Sequence, residues 1–239
     1  MTSTAPASVV PNPEDFRIRV AADRRERMRA RLLDAVLDLY QPGRGGAHLV
    51  IDDVIQTAGV SRGTFYKYFE SLEEAVDELG ERMAAGTIAD FRRLFDNEPN
   101  AAARAVGGAA MAMVRAWHDP RWGGFTCRID YVDYFARASA FDSLVRDALK
   151  EARDAGQMSF HSLDVAVDLI VGMTVEARRR LIRQPVAPRA YIDEMLECTF
   201  RGLDMAPATL AEARATAWTH ILAGAPDMDW WSVKDMPLE

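Results

Sequence analysis

Hydrogen-bonding side chains are concentrated between Ser61 and Tyr68. This short stretch holds one arginine, one lysine, two tyrosines and a threonine around a single glycine. An arginine guanidinium can donate two hydrogen bonds to O6 and N7 of guanine, and lysine, threonine and tyrosine commonly contact phosphate oxygens. Gly63 has no side chain, so the backbone there can approach another molecule closely. These residue types indicate a surface that binds duplex DNA.

The spacing of the aromatic residues indicates how this surface is held. On an α-helix that turns about 100° per residue, Phe65, Phe69 and Leu72 fall on one face. Tyr66, Gly63, Lys67 and Thr64 fall on the remaining arc, which is polar or small, and Tyr68 lies at the border. We therefore expect the phenylalanines to anchor the helix and the tyrosines to reach outward. The alternative is a core helix that carries two incidental tyrosines.

A second short helix is predicted just before this one. Four apolar residues, Ile51, Val54, Ile55 and Ala58, have the i, i+3, i+4, i+7 spacing of one helical face. Gly59 can adopt the left-handed conformation that ends a helix, and Ser61 is a suitable N-cap for the next. Two short helices joined by such a turn form a helix-turn-helix, whose second helix enters the major groove of DNA.

Long helices are predicted for the rest of the chain. Ser71 and Glu74 match a capping box, and the helical pattern then continues to Phe95. Strand patterns are nearly absent, so we expect an all-α protein. The segment from His118 to Gly124 is predicted to be a loop because it contains one proline and two glycines.

The sequence from Val54 to Ser71 resembles the DNA-binding signature of the tetracycline-repressor (TetR) family of bacterial transcription regulators. The match is strongest at Ala58-Gly-Val-Ser61, followed by Gly63-Thr-Phe-Tyr66 and Tyr68-Phe69, and Arg24 to Tyr40 fits the family's first helix. Three positions depart from the family pattern: Ile55 replaces a small alanine, Val50 replaces a capping serine or threonine, and Leu72 replaces a common lysine that binds phosphate.

The resemblance implies an N-terminal three-helix helix-turn-helix domain, joined by a long helix to a C-terminal helical ligand-binding and dimerisation domain. We expect a disordered lead over residues 1–16, the DNA-binding domain over 17–80, the C-terminal domain over 81–226 and a tail over 227–239. The residues expected to contact DNA are Ser61, Arg62, Gly63, Thr64, Tyr66, Lys67, Tyr68 and Arg24.

The charge distribution allows a local basic surface on an acidic protein. The net charge of -7 argues against indiscriminate nucleic-acid binding, but Arg17 to Arg31 holds an excess of five positive charges. The alternative for that run is a solvated helix face. Cys127 and Cys198 form no CxxC pair, no secretory signal or membrane span is indicated, and we expect a cytoplasmic protein with two reduced thiols.

The C-terminal half has apolar faces that indicate a dimer interface. Four-helix packing between two copies is predicted for helices over 163–182 and 189–204, and the first of these ends in three arginines, which suit a helix C-terminus. The residues expected at the homodimer interface are Ile170, Val171, Ile192, Met195, Leu196 and Phe200. The alternative is core packing within one chain.

A ligand pocket is predicted where bulky residues lie beside a run of alanine and glycine. The residues expected to line it are Met111, Met113, Trp117, Phe125, Tyr131, Tyr134 and Phe135. Plain core packing is the alternative for each of them. A metal site from His118, Asp119 and Cys127 is a further alternative, although the spacing matches no established ligand pattern.

Together these features predict a DNA-binding transcriptional regulator, a repressor that a small, mostly apolar effector releases from a palindromic operator. We expect no cofactor and no catalysis, since the sequence has no nucleophile motif, phosphate loop or paired acid and base. One alternative is an all-helical enzyme or small-molecule-binding protein without a DNA-binding role. Another is a DNA-binding protein that answers to no small molecule.

Overall fold

The computed structural model describes residues 13–41, 49–128, 140–183 and 189–232. This part of the chain is all-helical and contains no strand. Ten α-helices follow one another: α1 (Pro13–Leu39), α2 (Ile51–Ala58), α3 (Arg62–Phe65), α4 (Leu72–Phe95), α5 (Ala101–His118), α6 (Pro120–Thr126), α7 (Ala140–Asp154), α8 (Leu163–Leu181), α9 (Arg189–Arg201) and α10 (Pro207–Gly224). A 3₁₀ turn over Ala225–Asp227 follows the last of them.

An N-terminal core holds α1, α2 and α3 together. Leu32 and Val36 from α1 meet Val54 from α2, together with Phe65 and Phe69. Arg29 fastens the same unit to α4, because its Nε lies 2.9 and 2.7 Å from the two carboxylate oxygens of Glu78. Its Nη1 donates to the carbonyl oxygen of Tyr68 at 2.9 Å. The end of α3 is therefore tied to both α1 and α4.

Helix α4 belongs to two cores. Val76 and Leu79, near its start, pack in the N-terminal core, whereas Phe91, Leu94 and Phe95, near its end, pack in the larger C-terminal core. The Ser71 hydroxyl caps the helix by accepting a hydrogen bond from the Glu74 backbone at 3.1 Å. The long helix predicted from the capping box is confirmed, and it connects the two parts of the molecule physically.

Helix α5 lies at the centre of the C-terminal core. It packs against α4, α6, α7, α8, α9 and α10, and almost every side chain along it is buried. Its many alanines and glycines allow several helices to approach it closely. At Gly107, for example, a Cβ atom would lie 2.4 Å from the Phe95 ring.

The loop expected from His118 to Gly124 was wrong, and described structure also extends into the predicted lead and tail. Residues Pro120–Thr126 form helix α6 instead of a loop, because the Asp119 side chain accepts from the Trp122 backbone and proline suits the first helical turn. Helix α1 begins at Pro13, inside the lead predicted over 1–16. Met228 and Trp230, expected in a tail, are buried, which places the chain up to residue 230 in the C-terminal core.

Candidate DNA-binding surface and ligand cavity

The turn between α2 and α3 has the geometry of a helix-turn-helix. Gly59 is left-handed, with φ of 62°, a conformation that residues with a Cβ rarely adopt. The Ser61 hydroxyl accepts from the Thr64 backbone at 3.1 Å and caps α3 as predicted. Val50 cannot cap α2 with its side chain, and the Asp53 carboxylate instead accepts from the Val50 backbone at 3.1 Å.

Burial separates the anchoring residues from the outward ones. Phe65 and Phe69 are 0% and 1% exposed, whereas Tyr66 is 50% exposed. Ser61, Arg62, Gly63 and Lys67 are also exposed, and Thr64 and Tyr68 are half-buried. Regular α-helix ends at Phe65, and hydrogen bonds to the third preceding residue tighten the chain at Lys67 and Tyr68. The predicted division between anchors and outward residues is therefore present on a shorter helix.

Arg62 has an ionic partner on the surface. Its Nη2 lies 3.1 Å from the Asp52 carboxylate, and both side chains are more than half exposed. An exposed pair of this kind contributes little to stability, typically about 0–1 kcal/mol. The ion pair can therefore open at small cost. While it is closed, Asp52 holds the Arg62 guanidinium beside the N-terminus of α3.

The arginine-rich part of α1 has a divided role. Arg24 and its neighbours Arg25 and Arg27 are exposed, as expected for a surface that meets phosphate. Arg29 instead stacks over the Phe69 ring at 4.5 Å, and its hydrogen bond with Glu78 raises the pKa of its guanidinium. Arg29 is thus a structural residue, whereas the arginines on its N-terminal side remain accessible.

A cavity of about 70 Å³ lies between α4, α5, α7 and α8. Its volume is several times the roughly 10–15 Å³ that one water molecule requires. The wall is mainly apolar, and the side chains that line it include Phe91, Met111, Leu144, Leu149, Ile170 and Val171. Thr87, Thr174, Arg104 and Arg178 supply its polar groups. The described lining residues include no aspartate and no glutamate.

The residues predicted for the pocket fall in different places. Met111 lines the cavity, but Met113 and Trp117 pack within the C-terminal core. Phe125 packs against Tyr40 of the N-terminal core, with ring centroids 5.0 Å apart. Tyr131, Tyr134 and Phe135 lie outside the described residues. The four described residues are buried, but their spacing in the sequence could not show which space each one fills.

Arg178 is a cavity residue that sequence reasoning missed. It is 8% exposed; its Nη1 donates to the Thr126 hydroxyl at 2.9 Å and its Nε to the Thr174 carbonyl at 3.2 Å. Burial lowers the pKa of its guanidinium. A signal was available, because Ile170, Thr174 and Arg178 recur every four residues and therefore share one face of α8.

Arg115 is equally buried but has a counter-ion. It is also 8% exposed, and its Nη1 lies 2.7 Å from the Asp90 carboxylate. The same carboxylate oxygen accepts from the Trp230 indole at 2.8 Å. Burial lowers the pKa of Arg115, and the charge of Asp90 acts against that effect. Within the described chain, by contrast, no carboxylate forms an ion pair with Arg178.

Helix α6 joins the cavity to the N-terminal core by a second route. At its C-terminal end Thr126 holds Arg178, and on its other side Phe125 packs on Tyr40. A Cβ atom at Gly124 would lie 2.1 Å from the Tyr40 carbonyl oxygen, so the contact with α1 is backbone to backbone. Arg121 adds an ion pair to Asp38 at 2.8 Å.

The residues predicted for the dimer interface are mostly covered by their own chain. Ile170, Ile192, Leu196 and Phe200 are buried in the C-terminal core, and Val171 and Met195 are half-buried. Other apolar positions on α8 and α9 are more accessible. Val165 is 66% exposed, Cys198 is exposed, and Leu169 and Met173 are half-buried.

His118 and Cys127, two of the residues considered for a metal site, each contact other groups of the protein. His118 stacks on Trp231 with ring centroids 3.9 Å apart, and Cys127 donates to the Val175 carbonyl oxygen at 3.5 Å. Among the residues that the structure describes, no group of three or more His, Cys, Asp or Glu side chains could hold a metal ion. No helix in the same ranges has the length and apolar character to cross a bilayer.

Comparison with solved structures identifies the fold. The TetR-family protein CprB from S. coelicolor A3(2) matches 82% of this chain and 98% of its own, with a TM-score of 0.61 and 16% identity. The resorcinol complex of RolR matches 82% of this chain and 95% of its own, with a TM-score of 0.59 and 23% identity. A gamma-butyrolactone receptor, ArpA-like, matches 84% and 98%, with a TM-score of 0.60 and 15% identity.

The predicted resemblance is thereby confirmed at the level of the fold, which is the all-helical fold of TetR-family regulators. Neither a protein-family model nor a curated protein sequence matches the chain.

Proposed function

We propose that this protein is a ligand-responsive transcriptional regulator of the TetR type, which binds palindromic DNA and is released by a small molecule. The observation that carries the proposal is the exposure of Arg62, Tyr66 and Lys67 on and just beyond helix α3, beside Phe65 and Phe69, which are buried. That arrangement presents donors to a groove while the core fixes their position. It supports binding and not catalysis as the activity.

The residues on and beside α3 have different proposed roles. Arg62 and Tyr66 contact or border base edges. Arg62 is the first residue of α3, Tyr66 directly follows its last residue, and both side chains are exposed. Thr64, Lys67 and Tyr68 contact phosphates, Gly63 permits close approach, and Ser61 and Arg24 add contacts at the margin. Contacts to bases specify the sequence, whereas contacts to phosphate fix position and orientation.

The proposed response to a ligand rests on two helices that connect the cavity to the N-terminal core, α4 directly and α6 through a cavity side chain. Thr87 and Phe91 of α4 line the cavity, and Thr126 of α6 holds the cavity residue Arg178. A ligand that fits one position of these helices better than another shifts the helix-turn-helix. The shift is limited by the differential affinity for the two states, typically about 1–3 kcal/mol.

Small-molecule ligands are consistent with the structural neighbours. RolR was crystallised with resorcinol, and another neighbour is a gamma-butyrolactone receptor. Both proteins share the fold of this chain but less than a quarter of its sequence. For this chain the mainly apolar cavity wall favours an effector with an apolar body.

We infer that the active form is a homodimer built on α8 and α9. Two helix-turn-helix units about 34–36 Å apart would meet successive major grooves of a palindrome. The more accessible apolar positions Val165, Met173 and Cys198 provide a surface that a second copy would cover.

Charging Phe200, Ile170 or Leu169 would disturb the chain's own core. Val165→Glu combined with Met173→Glu is therefore the sharper test, with the exposed Ala211→Glu as its control. Sedimentation should show monomers for the double variant and dimers for the control; a monomeric wild type at micromolar concentration would contradict the dimer.

The function is tested by selecting bound duplexes from a random DNA pool. We expect enrichment of a two-fold symmetric sequence with half-sites about one helical turn apart. Arg62→Ala should lose the preference at one position of each half-site. If no sequence is enriched, or if the enriched sequence binds Arg62→Ala and wild type equally, α3 is not the recognition helix.

A further inference from the structure

The charge inside the cavity is one-sided. Arg104 and Arg178 are its charged lining residues among those described, and the Arg104 guanidinium is neutralised by Glu151. Nη2 of Arg178 has no hydrogen-bond partner in the described part of the chain, while Nε and Nη1 are held by Thr174 and Thr126. An arginine has five N–H donors in a fixed fork, so donors remain unused at the cavity wall.

A buried guanidinium without a counter-ion is costly. Moving an ion from water into a protein interior is unfavourable, and a nearby opposite charge offsets that cost. Asp90 supplies that charge for Arg115. Trp122 lies between the two arginines, with its ring 4.7 Å from Arg115 and 5.4 Å from Arg178, and its face gives Arg178 partial compensation. Arg178 lines the cavity, so a counter-ion for its guanidinium could be placed there.

We propose that the cavity binds a small monocarboxylate with an apolar body, whose carboxylate accepts hydrogen bonds from Arg178. The inference rests on the proposed function, since it specifies the effector of that same site. The apolar wall formed by Phe91, Leu144, Leu149 and Ile170 contacts the body of the ligand. The carboxylate supplies the counter-ion that the described residues do not.

The size of the cavity limits the apolar body. At about 70 Å³ it is smaller than the roughly 150 Å³ cavity that accommodates benzene in another protein. A short aliphatic acid therefore fits better than an acid with fused rings. Butyrate is a suitable probe, and butyramide is its uncharged counterpart of nearly the same shape.

The experiment compares butyrate with butyramide at matched ionic strength, by calorimetric titration of the wild type. The expected result is at least about tenfold tighter binding of butyrate, as for a hydrogen bond to a charged group in a buried site. Arg178→Met should remove this preference and Arg178→Lys should retain part of it. Circular dichroism and urea unfolding establish that each variant is folded.

Arg104→Met is the matched control, because it removes a neighbouring cavity arginine whose charge Glu151 already balances. It should keep the preference for butyrate. Equal binding of the two probes by wild type would overturn the proposal, as would loss of the preference in Arg104→Met but not in Arg178→Met. Fluorescence of Trp122, with the other four tryptophans replaced by phenylalanine, gives a second readout because its ring lies beside Arg178.

The butyrate titration and the DNA selection test the carboxylate site and the regulator function separately. If the DNA selection yields an operator but wild type does not prefer butyrate, the carboxylate proposal fails and the regulator remains. If butyrate is preferred but no DNA sequence is enriched, the regulator proposal fails and the anion site stands. If both hold, butyrate should lower the operator affinity of wild type and leave that of Arg178→Met unchanged.

Discussion

The N-terminal unit and the C-terminal core use arginine in opposite ways. Around α3 and along the first half of α1, arginines lie on the surface, where water solvates them. In the C-terminal core, Arg115 and Arg178 lie inside, each 8% exposed. A surface charge can bind any partner of opposite sign, whereas an interior charge needs a partner placed at one position. The N-terminal surface therefore suits a polyanion, and the interior suits one small anion.

The largest effect should come from removing the partner of the balanced interior arginine. Asp90→Ala leaves Arg115 buried and unpaired, which typically costs about 3–5 kcal/mol of unfolding free energy. Urea unfolding measures the change, and Asp77→Ala on the same helix is the control, because Asp77 is exposed and should change stability by no more than about 0.5 kcal/mol.

A double variant sharpens this comparison. Asp90→Ala combined with Arg115→Met removes both charges and should recover much of the lost stability, since apolar replacements of buried pairs are often neutral. If Asp90→Ala unfolds at the same urea concentration as wild type, the interior pair is not what holds Arg115 in place. The distinction between balanced and unbalanced arginines would then lose its basis.

A smaller effect is expected at the surface. Arg62→Ala should weaken binding to the selected operator by about 1–3 kcal/mol and relax preference at one base position. Arg92→Ala is the matched control, because it removes an exposed arginine of α4 at a distance from α3. Asp52→Asn tests the ion pair and should not weaken operator binding, since it releases Arg62. Unchanged operator affinity in Arg62→Ala would show that surface arginines here do not read bases.

Lys67→Ala should act on every DNA sequence alike. The lysine is exposed beyond the end of α3, where we expect it to contact a phosphate. The logarithmic dependence of affinity on salt should fall by about one unit, with specificity between operator and random DNA unchanged. Binding measured at several salt concentrations gives the slope. A loss confined to the operator would instead place Lys67 at a base edge.

The same contrast explains what the sequence could predict. Gly59, Ser61 and Ser71 act locally, through backbone conformation and hydrogen bonds to residues three positions away, so their roles were predicted from sequence and are confirmed. The apolar spacing also identified Phe65 and Phe69 as anchors. These features depend on neighbours in the chain and need no knowledge of the tertiary structure.

The cavity depends on contacts between distant segments, and for that reason the sequence prediction for it was less successful. Phe125 was expected in the pocket but is directed towards Tyr40, because Asp119 and Pro120 start helix α6 and set its direction. Arg178 was attributed to the C-terminal, negative end of the helix dipole. Its spacing from Ile170 and Thr174 indicated a shared helix face, but the contact that covers it comes from Thr126 of α6, which is distant in the sequence. The division of domains at residue 80 stays a prediction, as do the DNA, dimer and ligand contacts.

The smallest expected effect concerns Arg29. It belongs to the basic run of α1, whose other arginines named above are exposed, and yet it makes a structural ion pair with Glu78. Its hydrogen bond lowers the pKa of Glu78 below the usual value of 4.5. In the unfolded chain Glu78 takes up a proton near its usual pKa, whereas in the folded protein it does so only at lower pH. The pair therefore contributes its full stabilisation above about pH 4.5, and the contribution is lost as pH falls through the lower folded pKa.

Glu78→Gln should reduce unfolding free energy at neutral pH, and its difference from wild type should shrink as the pH is lowered below 4.5. Urea unfolding at a series of pH values gives this difference directly. Glu73→Gln on the same helix controls for the change in net charge, because Glu73 is exposed and has no ion-pair partner within the described ranges. A difference between Glu78→Gln and wild type that is constant from neutral to acid pH would mean that Arg29 does not hold Glu78 in its charged form, and Arg29 would then belong with the surface arginines.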